Sequence, residues 1–196
     1  MHGPSPEPGF DFTAWAERLC RDLTRRVPDL RHIRMDWVAL SFSQSRSPGR
    51  HGLYASVTPL RFPGGEPHIT RRGRRWGVQR ILGPDGREML YLMTFYLPRF
   101  LNLPWREKLT TVAHELWHIG PESDGQLRRF AGRCHAHGHS QKAYDARVEE
   151  LVDCYLAAHP PAELLAPLRH DFRHLRQQYG RVTGQRIRAP KLIPLD

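Results

Sequence analysis

Residues Thr110 to Gly120 read TTVAHELWHIG and place His114, Glu115 and His118 in the spacing H-E-x-x-H. On a helix, positions i and i+4 lie one above the other on the same face, so both imidazoles can reach one metal ion. Glu115 stands about 100° round the helix from His114, beside such a site rather than in it. There a carboxylate can hydrogen-bond a metal-bound water, accept its proton during attack on a carbonyl and pass it to a leaving amine. With zinc as the ion this is the chemistry of peptide-bond hydrolysis, with His114 and His118 as ligands and Glu115 as general base. Two histidines on an amphipathic helix also occur as plain surface or core residues. The apolar helix around this pair, and the ligand-type residues that follow it, favour the metal.

A catalytic zinc takes three protein ligands and keeps one position for water. His139 ranks first as the third, because it sits at the predicted start of the next helix, where the backbone is fixed. His135 and His137 alternate with it along the same segment and come next. Glu149 is a rival from within that helix, with Asp153 four residues on as its supporting partner. Asp124 lies where a compact metal-binding extension would put its last ligand, although Pro121 stands where that pattern has glycine. Cys134 as an added ligand would close the site and leave no place for water. Tyr144 or one of the downstream histidines is the candidate donor to a developing oxyanion.

The surrounding pattern predicts the elements that hold these groups. Pro104 suits a first helical turn, where a missing N–H is no loss, and Trp105, Leu109, Val112, Ala113, Leu116 and Trp117 form an apolar face. Gly120-Pro121 ends this helix. Upstream, Phe12 to Val27 is a helix capped by Asp11 or Thr13, with Phe12, Trp15, Ala16, Leu19, Leu23 and Val27 on one side. Ile33 to Ser43 alternates as a half-buried strand, and Leu53 to Phe62 is a second strand that Pro59 would either confine to an edge or break. The run Arg71, Arg72, Arg74 and Arg75 beside Trp76 could face phosphates and a base, but a solvated loop leading into a strand accounts for it more simply. Gly83-Pro84-Asp85-Gly86 is the turn of an expected hairpin between Trp76–Leu82 and Arg87–Tyr96. An extended peptide can pair with an exposed strand and present its scissile carbonyl to the metal. Downstream, Ser140 caps a helix that Pro160-Pro161 breaks, and Ala162 to Tyr179 is a further helix.

The chain of 196 residues suits one α+β domain, residues 10–179, between a Pro- and Gly-rich arm, 1–9, and a basic, loosely packed tail, 180–196. Cys20, Cys134 and Cys154 are odd in number and form no C-x-x-C pair, which points to a reducing cytoplasm. No apolar run approaches the ~18 residues of a membrane span, and the start MHGPSPEPGF lacks a leader's basic and apolar regions, so a soluble, unsecreted protein with no membrane partner is expected. Thirty basic against 20 acidic residues give +10, which suits an anionic partner such as nucleic acid. The skew of 27 arginines to three lysines also follows from GC-rich coding, without selection for binding. The competing function is therefore a nucleic-acid-associated regulatory protein in which the metal only staples helices.

On His114-Glu115-Leu116-Trp117-His118-Ile119, a strand before that helix and a histidine followed by a helix about twenty residues later, residues Arg87 to His159 resemble the small zinc peptidases of the zincin class. The likeness is to the short metallopeptidases of phages and bacteria and to SprT-like proteins. It implies a small zincin-like domain, with a short antiparallel or mixed sheet on the H-E-x-x-H helix and further helices after it. Zinc would lie on His114, His118 and a ligand from the next segment, Glu115 would act as base, and a protein or peptide would be the substrate. The SprT-like pattern has His-Gly at the third ligand, where this chain has His139-Ser140, and no zinc ribbon of paired cysteines follows.

Overall fold

A computed structural model describes residues 9–45, 52–129 and 141–195. The short strand β1 (Phe10–Asp11) leads into helix α1 (Phe12–Arg26), whose first turn is capped by the Asp11 carboxylate accepting from the Ala14 N–H at 3.0 Å. Phe12, Trp15, Ala16, Leu19 and Leu23 recur at helical spacing and are all buried, so the stripe read from the sequence is the face that packs. Two 3-10 turns, Pro28–Leu30 and Met35–Trp37, then bring the chain to β2 (Val38–Gln44). The strand predicted from Ile33 therefore starts five residues late. Ile33 and Met35, which mimic alternation, are core plugs on the approach.

After β3 (Ala55–Pro59), β4 (His68–Arg71), β5 (Arg74–Val78) and β6 (Tyr91–Leu97), a mixed sheet takes the order β2-β6-β3. β2 runs parallel to β6 from Val38↔Tyr91 to Gln44↔Leu97, and β3 runs antiparallel from Ala55↔Phe95 to Pro59↔Tyr91. One face, with Val38, Leu40, Phe42, Tyr91, Met93 and Phe95, is packed into the main core with α1 and the later helices. The other carries Ala39 and Leu92 against Leu60 and Met89. β6 is thus covered on both faces and paired on both sides. That explains why the expected hairpin is absent: Gly83–Gly86 does turn, with a Gly86 N–H to Gly83 carbonyl bond of 3.0 Å, but its arms share a single backbone bridge, Leu82↔Glu88, and the Arg80–Glu88 ion pair instead of a strand ladder. Strand β5 leaves for a separate small sheet, and β6 takes β2 and β3 as partners.

Helix α2 (Trp105–Trp117) follows, capped from Pro104, with Leu109, Val112, Ala113, Leu116 and Trp117 buried; Trp105, expected on that face, is exposed. Helix α3 (Gln141–Ala157) packs on α2. Beyond it, the predicted single helix from Ala162 to Tyr179 is three pieces: α4 (Ala162–Leu165), a 3-10 turn at Ala166–Arg169 and α5 (Phe172–Tyr179). Pro167 has no N–H to continue the ladder, and Asp171 starts anew by accepting from the His174 N–H at 2.7 Å. Residues after Gly180 are largely exposed but add two short strands. β7 (Val182–Thr183) pairs with β1, and β8 (Leu192–Pro194) pairs with β5. Cys20 and Cys154 are free thiols, and no described helix is long and apolar enough to cross a membrane.

Lys108, on the motif helix, is only 1% exposed. Its ammonium donates to the carbonyls of Leu168 (2.9 Å) and His170 (2.6 Å), tying α2 to the break between α4 and α5. Burial pulls its pKa from the ordinary 10.5 to about 8. Between those values the unfolded chain binds more protons than the folded one, so this residue makes stability rise with pH across that window. Thermal melts should accordingly show the wild type gaining on Lys108→Met as pH is raised from about 8 to about 10. Parallel curves would show that Lys108 keeps its proton in the folded chain throughout that window, with its pKa unshifted by burial.

Candidate metal centre

The last turn of α2 carries His114, and His118 caps the helix in αR geometry, φ −67° and ψ −21°, so helical spacing persists through the motif. The Nε2 atoms of the two imidazoles face each other at 3.0 Å, with ring centroids 4.7 Å apart and planes 78° to one another. Two nitrogens on a tetrahedral zinc, each ~2.0–2.1 Å from it, would stand roughly 3.3 Å apart. The pair as placed is within a few tenths of an ångström of that separation. The apolar face of the same helix turns away into the core, which fixes the direction in which the histidines look.

Tyr144 on α3 walls the pair. It is buried, its ring is stacked on His118 (5.4 Å, 29°) and edge-on to His114 (5.0 Å, 66°), and its hydroxyl donates to the His114 carbonyl at 3.3 Å. Burial, reinforced by the charge of Glu115, raises the phenol's pKa and keeps it protonated. The hydroxyl, a candidate oxyanion donor from the sequence, is therefore turned to the helix backbone. On the other side the chain doubles back: Ile119 bridges Leu127, the Arg128 N–H donates to the His118 carbonyl at 2.6 Å, and Gly120 N–H donates to the Gln126 carbonyl at 3.0 Å. The phenol of Tyr91, on the central strand, pins this return by donating to Gln126 O and accepting from Gly125 N, each at 2.9 Å. The Arg128 guanidinium lies 3.7 Å from the Trp117 ring centroid, and its Nε donates to the Trp117 carbonyl.

Glu115 is 8% exposed and accepts a hydrogen bond from the Val57 backbone N–H. Tyr96 N–H bonds to Tyr54 O, and Leu60 N–H to Leu90 O, so by alternation the even residues of β3 pair with β6 and the odd ones point outward. Val57 thus spends an outward-facing edge N–H on Glu115, which places the carboxyl between the motif helix and the free edge of the sheet. Burial pushes its pKa up to about 7. A buried acid held near neutrality is a group that a neighbouring cation would return to its charged form, so the donor set and its surroundings fit zinc. Beside His118 opens a pocket of about 350 Å³ with Pro59, Pro63 and Leu127 on its walls and Arg61 and Arg128 at its sides.

The structure gathers His114, Glu115, His118 and Tyr144 in one place. Glu149 lies elsewhere: its carboxylate accepts from Thr110 Oγ1 at 3.0 Å and Arg106 at 3.0 Å, joining α2 to α3 a turn before the histidines. Asp124 is likewise committed, accepting from Gln126 N at 3.2 Å and Gln126 Nε2 at 2.7 Å. Among the described residues no group of three or more His, Cys, Asp or Glu is placed to hold a metal. His135, His137 and His139, with Cys134, lie outside the described residues. The Val57 N–H was invisible in the sequence, because the side chain there gives no sign of it. Compared with protein-family models, curated proteins and solved structures, the chain matches none.

Glu149→Ala should lower unfolding free energy in urea by about 1 kcal/mol, through loss of a half-exposed charged hydrogen bond, and leave zinc uptake unchanged. Zinc lost from a folded Glu149→Ala protein would make this residue a ligand.

Proposed function

We propose that the protein is a zinc-dependent peptidase, with His114 and His118 holding the metal, His139 completing its ligands and Glu115 acting as general base. The observation that carries this is the pair of facing imidazole nitrogens, 3.0 Å apart, beside a buried carboxyl that has no cationic partner among the described ion pairs. Bound zinc would supply Lewis-acid polarisation of the scissile carbonyl and lower the pKa of water to near 7. Glu115 takes the proton released on attack and delivers it to the leaving amine; its place at the helix edge puts it within reach of both events. Tyr144 holds the imidazoles in their orientation from behind.

A polypeptide substrate suits the sheet better than a small molecule does. The outward carbonyls and N–H groups of Ala55 and Val57 on β3 would pair with an extended chain, and Pro59, which has no N–H, would end that pairing. Such a chain would displace or share the Val57 N–H now given to Glu115, leaving the carboxylate free for its proton transfers. Substrate binding and activation of the base are then one event.

Protein purified without added metal should hold about one zinc per chain. His114→Ala, His118→Ala and His139→Ala should each lose it while remaining folded. Glu115→Gln should keep zinc and cleave an unfolded polypeptide at least about 100-fold more slowly. Full activity in Glu115→Gln would sink the mechanism, and a wild type that takes up no zinc would sink the proposal as a whole.

A further inference from the structure

The arginine run does not form the solvated loop expected of it. β4 and β5 make a hairpin closed by two residues, Arg72 and Gly73, with φ of +51° and +72°, the tight left-handed turn that fits the twist of paired strands. Strand β8 adds to β5, giving a three-stranded sheet separate from the one beside the histidines. The register sets Arg71 directly opposite Arg74 and Ile69 directly opposite Trp76, so these four share one face, and Pro194, paired with Trp76, joins them. A groove of about 510 Å³ runs over this face, lined by Ile69, Arg71, Arg72, Arg74, Trp76 and Leu192.

Three features of this face call for an anionic partner. Like charges directly opposite on paired strands are destabilising, yet Arg71 and Arg74 are set that way with Arg72 between them at the tip. Arg71, Arg72 and Arg74 are exposed and make no ion pair among the described residues. The whole chain carries +10, so the long-range field also draws a polyanion. Behind the tip the face changes character: the Trp76 indole is half-buried, with the Arg74 guanidinium 5.8 Å from its ring centroid, and Leu192 stays 51% exposed beside it. A hairpin built to enter a bilayer would carry its apolar residues at the tip, whereas here the tip is cationic and the apolar ring lies behind it. Cations around an accessible aromatic wall match the two parts of a nucleotide, phosphate and base. A base can lie against an indole only when its own face is not already stacked in a duplex.

We infer that the β4–β5–β8 face is a binding site for single-stranded nucleic acid, with Arg71, Arg72 and Arg74 on the phosphates and a base stacked on Trp76. The site is independent of the metal centre and stands or falls without it. The hairpin begins nine residues after Pro59, so its first residue lies within roughly 30 Å of the end of β3 even with that connection fully extended.

Fluorescence anisotropy with labelled oligothymidylate and oligouridylate, titrated with the full chain between about 50 and 200 mM salt, tests this. Both oligonucleotides should bind, and Arg71→Ala/Arg74→Ala should weaken binding at least about tenfold at the lower salt and reduce the log–log salt slope by about 1.4. Trp76→Leu, which keeps an apolar side chain but no ring, should lose roughly 5- to 100-fold, and Trp76→Phe should stay near wild type. Equal affinity of Trp76→Leu and wild type would reduce the face to a polyanion binder and overturn the assignment. A preference for duplex DNA over oligothymidylate, or binding to phosphatidylserine vesicles with none to either oligonucleotide, would overturn it too.

Discussion

A strand as apolar as Tyr91–Leu97 has no stable place at the edge of a sheet or on its surface. It must be paired on both sides and covered on both faces, and most of the architecture follows from meeting that demand. β2 takes one side in parallel and β3 the other in antiparallel. With β6 at the centre, β3 becomes an edge, and helix α2, which packs beside it, brings its last turn to that edge. The same central strand supplies the Tyr91 phenol that pins the loop after the motif, so the element that defines the core also steadies one flank of the histidine pair.

The parts legible in the sequence are those decided locally. Asp11 and the Phe12–Val27 stripe specify α1 because capping and a 3.6-residue period are properties of one segment. The same holds for α2, and with it for His114, Glu115 and His118, whose spacing fixes their common face. Strand partners are decided at long range. The turn at Gly83–Gly86 is real, but nothing in its two arms says that β5 prefers β4 and β8, or that β6 prefers β2 and β3. Ile33 and Met35 imitate a strand because their alternate spacing also suits two successive turns plugging one core. Ala162–Tyr179 reads as one helix because its apolar spacing survives the break that Pro167 and Asp171 impose.

At the site, the groups that sequence can rank are side chains, whereas part of the geometry is backbone. Tyr144 is readable as a nearby aromatic on the next helix, but its stacking on His118 depends on how α3 is laid over α2. Glu149 shows the converse: helical spacing makes it a credible ligand, and the rotation of α3 sends its carboxylate to Thr110 and Arg106 instead. The hydrogen bond from Val57 depends on which side of β3 is unpaired, a property of the finished sheet that no residue type encodes.

His118 caps α2, and the position of the pair at that end has an electrostatic meaning. Peptide dipoles sum along a helix to leave about half a negative charge at its C-terminus, so the imidazoles sit where a cation is favoured by roughly 0.3–1 kcal/mol. The same field opposes any negative charge that grows nearby. If the proposed zinc binds here, the same end of the helix disfavours an anion, and a donor to a developing oxyanion would come from the strand edge or from the segments beyond α2.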